Sequence, residues 1–179
     1  MRPKARSMSS PLHVYPNPSD PRTALVTWGM MRLSCRLGRA GVKTDKREGD
    51  GATPRGMLRV VKLYYRADQP GPRHSFLAQR VIRPDSGWSD DATSFRYNRP
   101  IALPARESHE QLWREDRLYD LVIETDWNRR PAVRGRGSAI FIHYARPDGR
   151  PTEGCLAFSK KAMRLLLTKL TPQSRIIIH

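Results

Sequence analysis

Gly137-Ser138-Ala139-Ile140-Phe141-Ile142-His143, followed after a short Pro/Gly stretch by Thr152-Glu153-Gly154-Cys155, decides how the rest of the chain is read. The first run is apolar and bounded by glycines, which predicts a buried strand over 138–143 that delivers a histidine. The second ends in a cysteine directly after a glycine. A thiolate is a nucleophile and an imidazole can take its proton, so this pair has what acyl transfer needs. The two groups only have to meet in space, and the intervening loop is short enough to fold His143 back toward Cys155. The bland alternative for Cys155 is a buried, inert thiol. For His143 it is a satisfied core histidine.

Working outward, short strands dominate. Residues 24–28 and 31–37 read as a hairpin around Gly29, 58–66 and 76–82 as strands, and 119–125 as a further buried one. Residues 175–179, RIIIH, close the chain as a last strand. Residues 1–22 carry five prolines and read as an irregular extension, with a first edge strand at 12–15. Residues 23–179 then form one domain. Two helices are expected. One opens at Ser108 with Gln111 three residues later, a capping-box pattern. The other is capped by Ser159, carries an apolar stripe of Ala162, Met163, Leu165, Leu166, Leu167 and Leu170, and stops at Pro172. About seven or eight strands with so few helices predict a mainly β fold, a mixed sandwich or barrel-like domain, and not a doubly wound α/β sheet.

Composition narrows the partners. The 179 residues hold 33 Lys+Arg against 17 Asp+Glu, a net charge of +16, which favours anionic partners such as cell-wall polymers. No RNP-like aromatic sheet, zinc knuckle or helix-turn-helix is visible, so nucleic acid is not the expected partner. No apolar run approaches the roughly 20 residues of a membrane span. The N-terminal MRPKARSMSSPLHVYPNP has charge but no apolar core of a secretory signal. The two cysteines, Cys35 and Cys155, form no CxxC pair, and no His/Cys cluster has zinc spacing. One disulfide between them is the alternative to a working Cys155.

Three segments together resemble the L,D-transpeptidase catalytic domain (YkuD-like) family. They are Glu48 to Gly56, ending in Thr53-Pro54-Arg55-Gly56, the Gly135 to His143 strand, and Thr152-Glu153-Gly154-Cys155. The resemblance spans about residues 40 to 179 and implies a cysteine acyltransferase that remodels peptidoglycan. It implies Cys155 as nucleophile, His143 as general base, and Thr152 and Gly154 as shapers of the nucleophile turn. Gly154, lacking a Cβ, would let backbone N–H groups near Gly154 and Cys155 reach an oxyanion. Glu153, Tyr144, Arg146, Ser138 and Gly137 are the implied substrate contacts. Peptidoglycan peptide stems are the implied substrate, the cell envelope or periplasm the implied place, and no metal or organic cofactor is required.

Three positions depart from the family pattern. Glu153 stands where a second histidine is usual, Ala157 where Arg or Asn is common, and Tyr144 where a small residue follows the base. Arg146 or Arg136 is the candidate replacement cation. The alternatives to a transpeptidase are an L,D-carboxypeptidase on the same Cys/His pair and a catalytically silent polyanion-binding domain.

Overall fold

Alternating and β-branched runs between turn residues build a chain of short strands in the computed structural model, which describes residues 10–71 and 74–179. The strands are β1 (Leu12–Asn17), β2 (Asp20–Trp28), β3 (Met31–Arg36), β4 (Val42–Lys43), β5 (Thr53–Pro54), β6 (Gly56–Arg66) and β7 (Ala78–Ile82). They continue with β8 (Ser86–Ser89), β9 (Pro100–Ala102), β10 (His109–Gln111), β11 (Leu121–Thr125), β12 (Phe141–Tyr144), β13 (Leu156–Phe158) and β14 (Arg175–Ile178). One helix, α1 (Lys160–Leu167), lies between β13 and β14. The mainly β expectation holds, with many more short strands than the sequence suggests.

The main sheet runs β11-β12-β13-β3-β2-β1-β14-β6-β7, and β11 also pairs with β6. The length of β6 makes this possible. Its first residues pair with β14, from Met57 opposite Ile177, while its later ones pair with β11, from Leu63 opposite Ile123. β7 joins β6 at Lys62–Arg66. The result is a sheet closed on itself, which removes free edges along most of its circumference. Leu12, Val14, Val26, Leu58, Leu63, Ile123, Ile142 and Leu156 fill its interior with almost no exposure.

α1 forms where its cap and stripe predict. The Ser159 hydroxyl accepts from the Ala162 N–H at 3.2 Å. Ala162, Met163, Leu166 and Leu167 face the core, whereas Leu165, counted in the stripe, is exposed. The helix ends at Leu167, before Pro172 could stop it. Met163 is fully buried, so Met163→Ala is expected to cost about 2–5 kcal/mol of stability, read as a lower urea midpoint at unchanged slope.

Three expectations are corrected. The helix at Ser108 does not form: His109–Gln111 is β10, with Glu110 opposite Trp88 of β8. Pairing with the neighbouring strand overrides the local capping signal, and Leu112 and Leu118 are buried in a second apolar cluster with Trp88, Phe141 and Tyr119. The extension expected over 1–22 contains β1 and the start of β2, and β1 is an interior strand between β2 and β14, not an edge. The remainder of that expectation, residues 1–9, lies outside the described residues. Finally, residues 138–140 are not in β12, because Ala139 adopts φ 51° and breaks the strand just before Phe141. No helix among the described residues is long and apolar enough to cross a membrane.

Candidate active site

β12 and β13 are parallel neighbours, with Ile142 opposite Leu156 and His143 opposite Ala157. Cys155 immediately precedes β13 and so falls level with Phe141. His143 is two residues further along its strand, on the same face. One side-chain repeat of about 6.6 Å therefore separates the imidazole and the thiol along the strands, which are about 4.8 Å apart. Both line a cavity of about 380 Å³, with Ser138, Arg146, Thr152 and Glu153. Gly137, Tyr144, Gly154 and Arg136 are not on its wall.

The histidine is held in one tautomer. His143 Nδ1 lies 2.8 Å from the Tyr144 carbonyl oxygen, which can only accept, so Nδ1 carries the proton and Nε2 keeps its lone pair. Tyr119 packs edge-on to the imidazole, ring centroids 5.0 Å apart. Burial drops the His143 pKa to about 4, against a smaller opposing effect of that backbone bond. The imidazole is neutral at physiological pH.

The thiol is also neutral. Burial pushes the Cys155 pKa up to about 12, and the Phe141 N–H, 3.3 Å from Sγ, only partly offsets this. Sγ donates its proton to the Ala139 carbonyl at 3.1 Å. In the resting protein the thiol is thus clamped between two backbone groups of the β12 entrance. Its proton points to Ala139 and not to His143. Cys35 is likewise a free, buried thiol, so the alternative of a disulfide does not arise.

The nucleophile turn has a local cause. Thr152 Oγ1 donates to the Cys155 carbonyl at 2.7 Å and accepts from the Gly154 N–H at 3.1 Å. The Gly154 N–H is therefore occupied and does not face the cavity as an oxyanion donor. The glycine is needed for a different reason. It has φ 139°, and a Cβ there would stand 2.7 Å from the Ala52 carbonyl oxygen. Ala52 immediately precedes Thr53-Pro54, whose Thr53 Oγ1 accepts from the Gly38 N–H at 2.9 Å. The Thr-Pro segment is thus the floor on which the nucleophile turn is pressed.

The other implied contacts divide. Ser138 is nearly buried, and its hydroxyl, beside Tyr97, makes no well-formed hydrogen bond. Glu153 is exposed at the cavity mouth and pairs with Arg39 at 2.8 Å, so it does not orient His143. Arg146 is on the wall, 3.7 Å from Asp148. Tyr144 contradicts its expected role: strand alternation turns its ring to the opposite face from His143, and only its carbonyl serves the site. Gly137 contributes its carbonyl to Asn128 Nδ2 instead of to the cavity.

Two wall residues, Arg114 and Glu110, are not marked by the sequence as part of the site. Arg114 enters the cavity from the loop after β10, pairs with Asp116 at 2.5 Å and with Glu110 at 3.2 Å, and adds a cation that Ala157 cannot provide. Burial raises the Glu110 carboxyl pKa. Asn98 lies deeper, 1% exposed, in the left-handed region at φ 57°. Its Oδ1 accepts from the Ala139 N–H at 3.1 Å and from Trp88 Nε1 at 2.9 Å. Its Nδ2 donates to the Trp127 and Asn128 carbonyls at 3.0 and 2.7 Å. Only the fold reveals that this side chain holds Ala139 by its N–H, the residue whose carbonyl meets the thiol.

His143 also couples the site to pH. Its folded pKa of about 4 lies below the ordinary value of 6.5, so between those limits the unfolded chain binds more protons. Stability is expected to be full above pH 6.5 and to fall by on the order of 3 kcal/mol as pH drops toward 4. Urea melts across that window check it, and His143→Gln should flatten the slope.

Among comparisons with known proteins, a family model of the L,D-transpeptidase catalytic domain, YkuD, matches residues 13–178. Among solved structures, the chain is similar to an L,D-transpeptidase from Mycobacterium smegmatis at 12% identity and a TM-score of 0.42, covering 94% of this chain and 58% of that one. The chain thus spans less than two thirds of that protein's length. None of the curated proteins matches it. With the family model covering nearly the whole sheet and the cavity at its centre, the chain belongs to the YkuD family of L,D-transpeptidase catalytic domains.

Proposed function

We propose that the protein is a cysteine-dependent L,D-transpeptidase that acts on peptidoglycan tetrapeptide stems through a Cys155 thioester. The observation that carries this is the pairing of Cys155 with a His143 whose Nδ1 is committed to the Tyr144 carbonyl, in one cavity. Nε2 is then the free base. Cys155 Sγ attacks the carbonyl of the diamino-acid residue before the terminal D-alanine while its proton passes to His143 Nε2. The tetrahedral oxyanion forms, and the Gly154 N–H, held by Thr152 Oγ1, is not free to receive it. The C–N bond breaks, the imidazolium returns its proton to the departing amine, and D-alanine leaves. A side-chain amine of a second stem attacks the thioester, gives its proton to His143, and displaces Sγ as the cross-link forms.

The pKa values suit a stepwise transfer at the moment of attack, not a preformed ion pair. A thiol near 12 and an imidazole near 4 keep the proton on sulfur until substrate arrives. Charge on the wall fits a stem end that bears both carboxylate and ammonium. Glu48, Asp90 and Glu110 share its wall with Arg114, Arg146 and Arg150.

Incubation with a disaccharide-tetrapeptide, followed by mass spectrometry, tests the proposal. A dimer one D-alanine lighter than two stems supports transpeptidation. A tripeptide monomer alone would mean that water replaces the amine, making the protein an L,D-carboxypeptidase. Unchanged substrate would overturn the acyl-transfer reading.

A further inference from the structure

A second cavity, of about 390 Å³, opens on the face of the sheet opposite the Cys155 cavity and includes Arg117, Asp120, Tyr144, Lys160 and Arg164 in its wall. Tyr144 connects the two cavities. Its carbonyl fixes His143 in the first, and its ring lines the second, with Lys160 Nζ 5.7 Å from the ring centroid.

The charge here is unbalanced. Arg117 pairs with Asp120 through Oδ2 at 3.0 Å. Lys160 and Arg164 have no carboxylate partner among the described residues. Three cations thus surround one carboxylate. Lys160 also occupies the first turn of α1, where a cation opposes the helix dipole and an anion would be favoured. Such a cluster repels itself unless an anion enters it.

A second, independent feature is a buried acceptor. Asp120 is 5% exposed, and its Oδ1 has no hydrogen-bond donor. Unpaired carboxylate oxygens are costly at that depth, and a carboxylate only accepts. An anion alone would leave Oδ1 as it is. A ligand that brings a hydroxyl beside its anionic group satisfies both halves. Two arginines and a lysine suit a doubly charged, three-oxygen group better than a single carboxylate.

We propose that this cavity, formed by Arg117, Lys160, Arg164, Asp120 and the Tyr144 ring, is a binding site for a hydroxyl-bearing phosphate ester. The phosphate oxygens meet the three cations and the hydroxyl donates to Asp120 Oδ1. The site is separate from the acyl-transfer cavity, and its occupation does not require Cys155.

The test is calorimetric titration of the full chain at low ionic strength with glycerol 3-phosphate and, separately, inorganic phosphate. Glycerol 3-phosphate should bind at one site and more tightly than phosphate. Lys160→Gln/Arg164→Gln should weaken it at least tenfold, and Asp120→Ala, which removes the acceptor, should erase the preference over phosphate. Cys155→Ala should bind as wild type does, which separates this site from the acyl-transfer one. Unchanged affinity in the double variant, or no saturable binding of either ligand, would overturn the proposal, as would an equal affinity for both ligands in wild type. Poly(glycerol phosphate), whose internal phosphates are singly charged diesters with two free oxygens, should bind more weakly per phosphate than glycerol 3-phosphate, and equal or tighter binding would overturn the assignment to a monoester.

Discussion

Cys155→Ala is expected to reduce formation of both the cross-linked dimer and the tripeptide by at least about 10³-fold while leaving the fold intact. The reason is chemical and local. Sγ lines the same cavity as the neutral His143 imidazole, and alanine removes it without enlarging the side chain. The two hydrogen bonds lost, from Phe141 N–H and to Ala139 O, are weak sulfur contacts, so melting temperature should change little. Covalent capture gives a second readout. The wild type should retain a donor stem as a thioester adduct detectable by intact-protein mass, and Cys155→Ala should not. Adduct on the alanine variant would place the nucleophile elsewhere.

Asn98→Ala should have the largest effect of any substitution away from the reacting atoms. Four hydrogen bonds end on this buried amide, and alanine leaves the Ala139 N–H, Trp88 Nε1 and the Trp127 and Asn128 carbonyls without it. Each stranded buried group costs about 1–3 kcal/mol, and alanine at φ 57° adds about 1–2. The expected loss is about 4 kcal/mol or more, partly relieved by relaxation. Asn98→Asp separates stability from function. It keeps an acceptor for Ala139 and Trp88 but turns two donors into a carboxylate facing carbonyls. If Asn98 positions the thiol through Ala139, the folded fraction of either variant should show a lower kcat at similar KM. It should also show a changed rate of Cys155 alkylation, which a purely structural role would leave alone.

The candidate Cys155/His143 pair was legible in the sequence because its signals are local. A strand that ends in histidine, a glycine before a cysteine, and a serine cap ahead of an apolar stripe each act over a few residues. The strands β2, β3, β6 and β11 were readable for the same reason. What failed was decided elsewhere in the fold. Ser108 and Gln111 form a sound capping box, yet the backbone of 109–111 is claimed by β8. Gly154 reads as an oxyanion-hole glycine, but its lack of a Cβ answers to the Ala52 carbonyl, one hundred residues away in sequence. Tyr144 looks like a groove aromatic until the period-two alternation sends its ring to the other face. Asn98 and Arg114 sit in loops and Glu110 in the three-residue β10, too short for a period, so nothing short of the tertiary structure gathers them around the thiol.

The position of β14 in the sheet has a consequence for how the molecule is made. This strand bridges β1, near the start of the described chain, and β6, and it is the last strand in sequence. While the ribosome is still adding residues before 175, the hairpin of β1 and β2 and the long β6 have no partner at this seam. Closure of the ring must wait for Ile176 and Ile178, two of the most buried side chains in the molecule. Pairings so distant in sequence fold slowly. The nascent chain therefore carries a sticky, unpaired seam on β1 and β6 until synthesis passes β14, and a chaperone that shields strand edges would act during that interval.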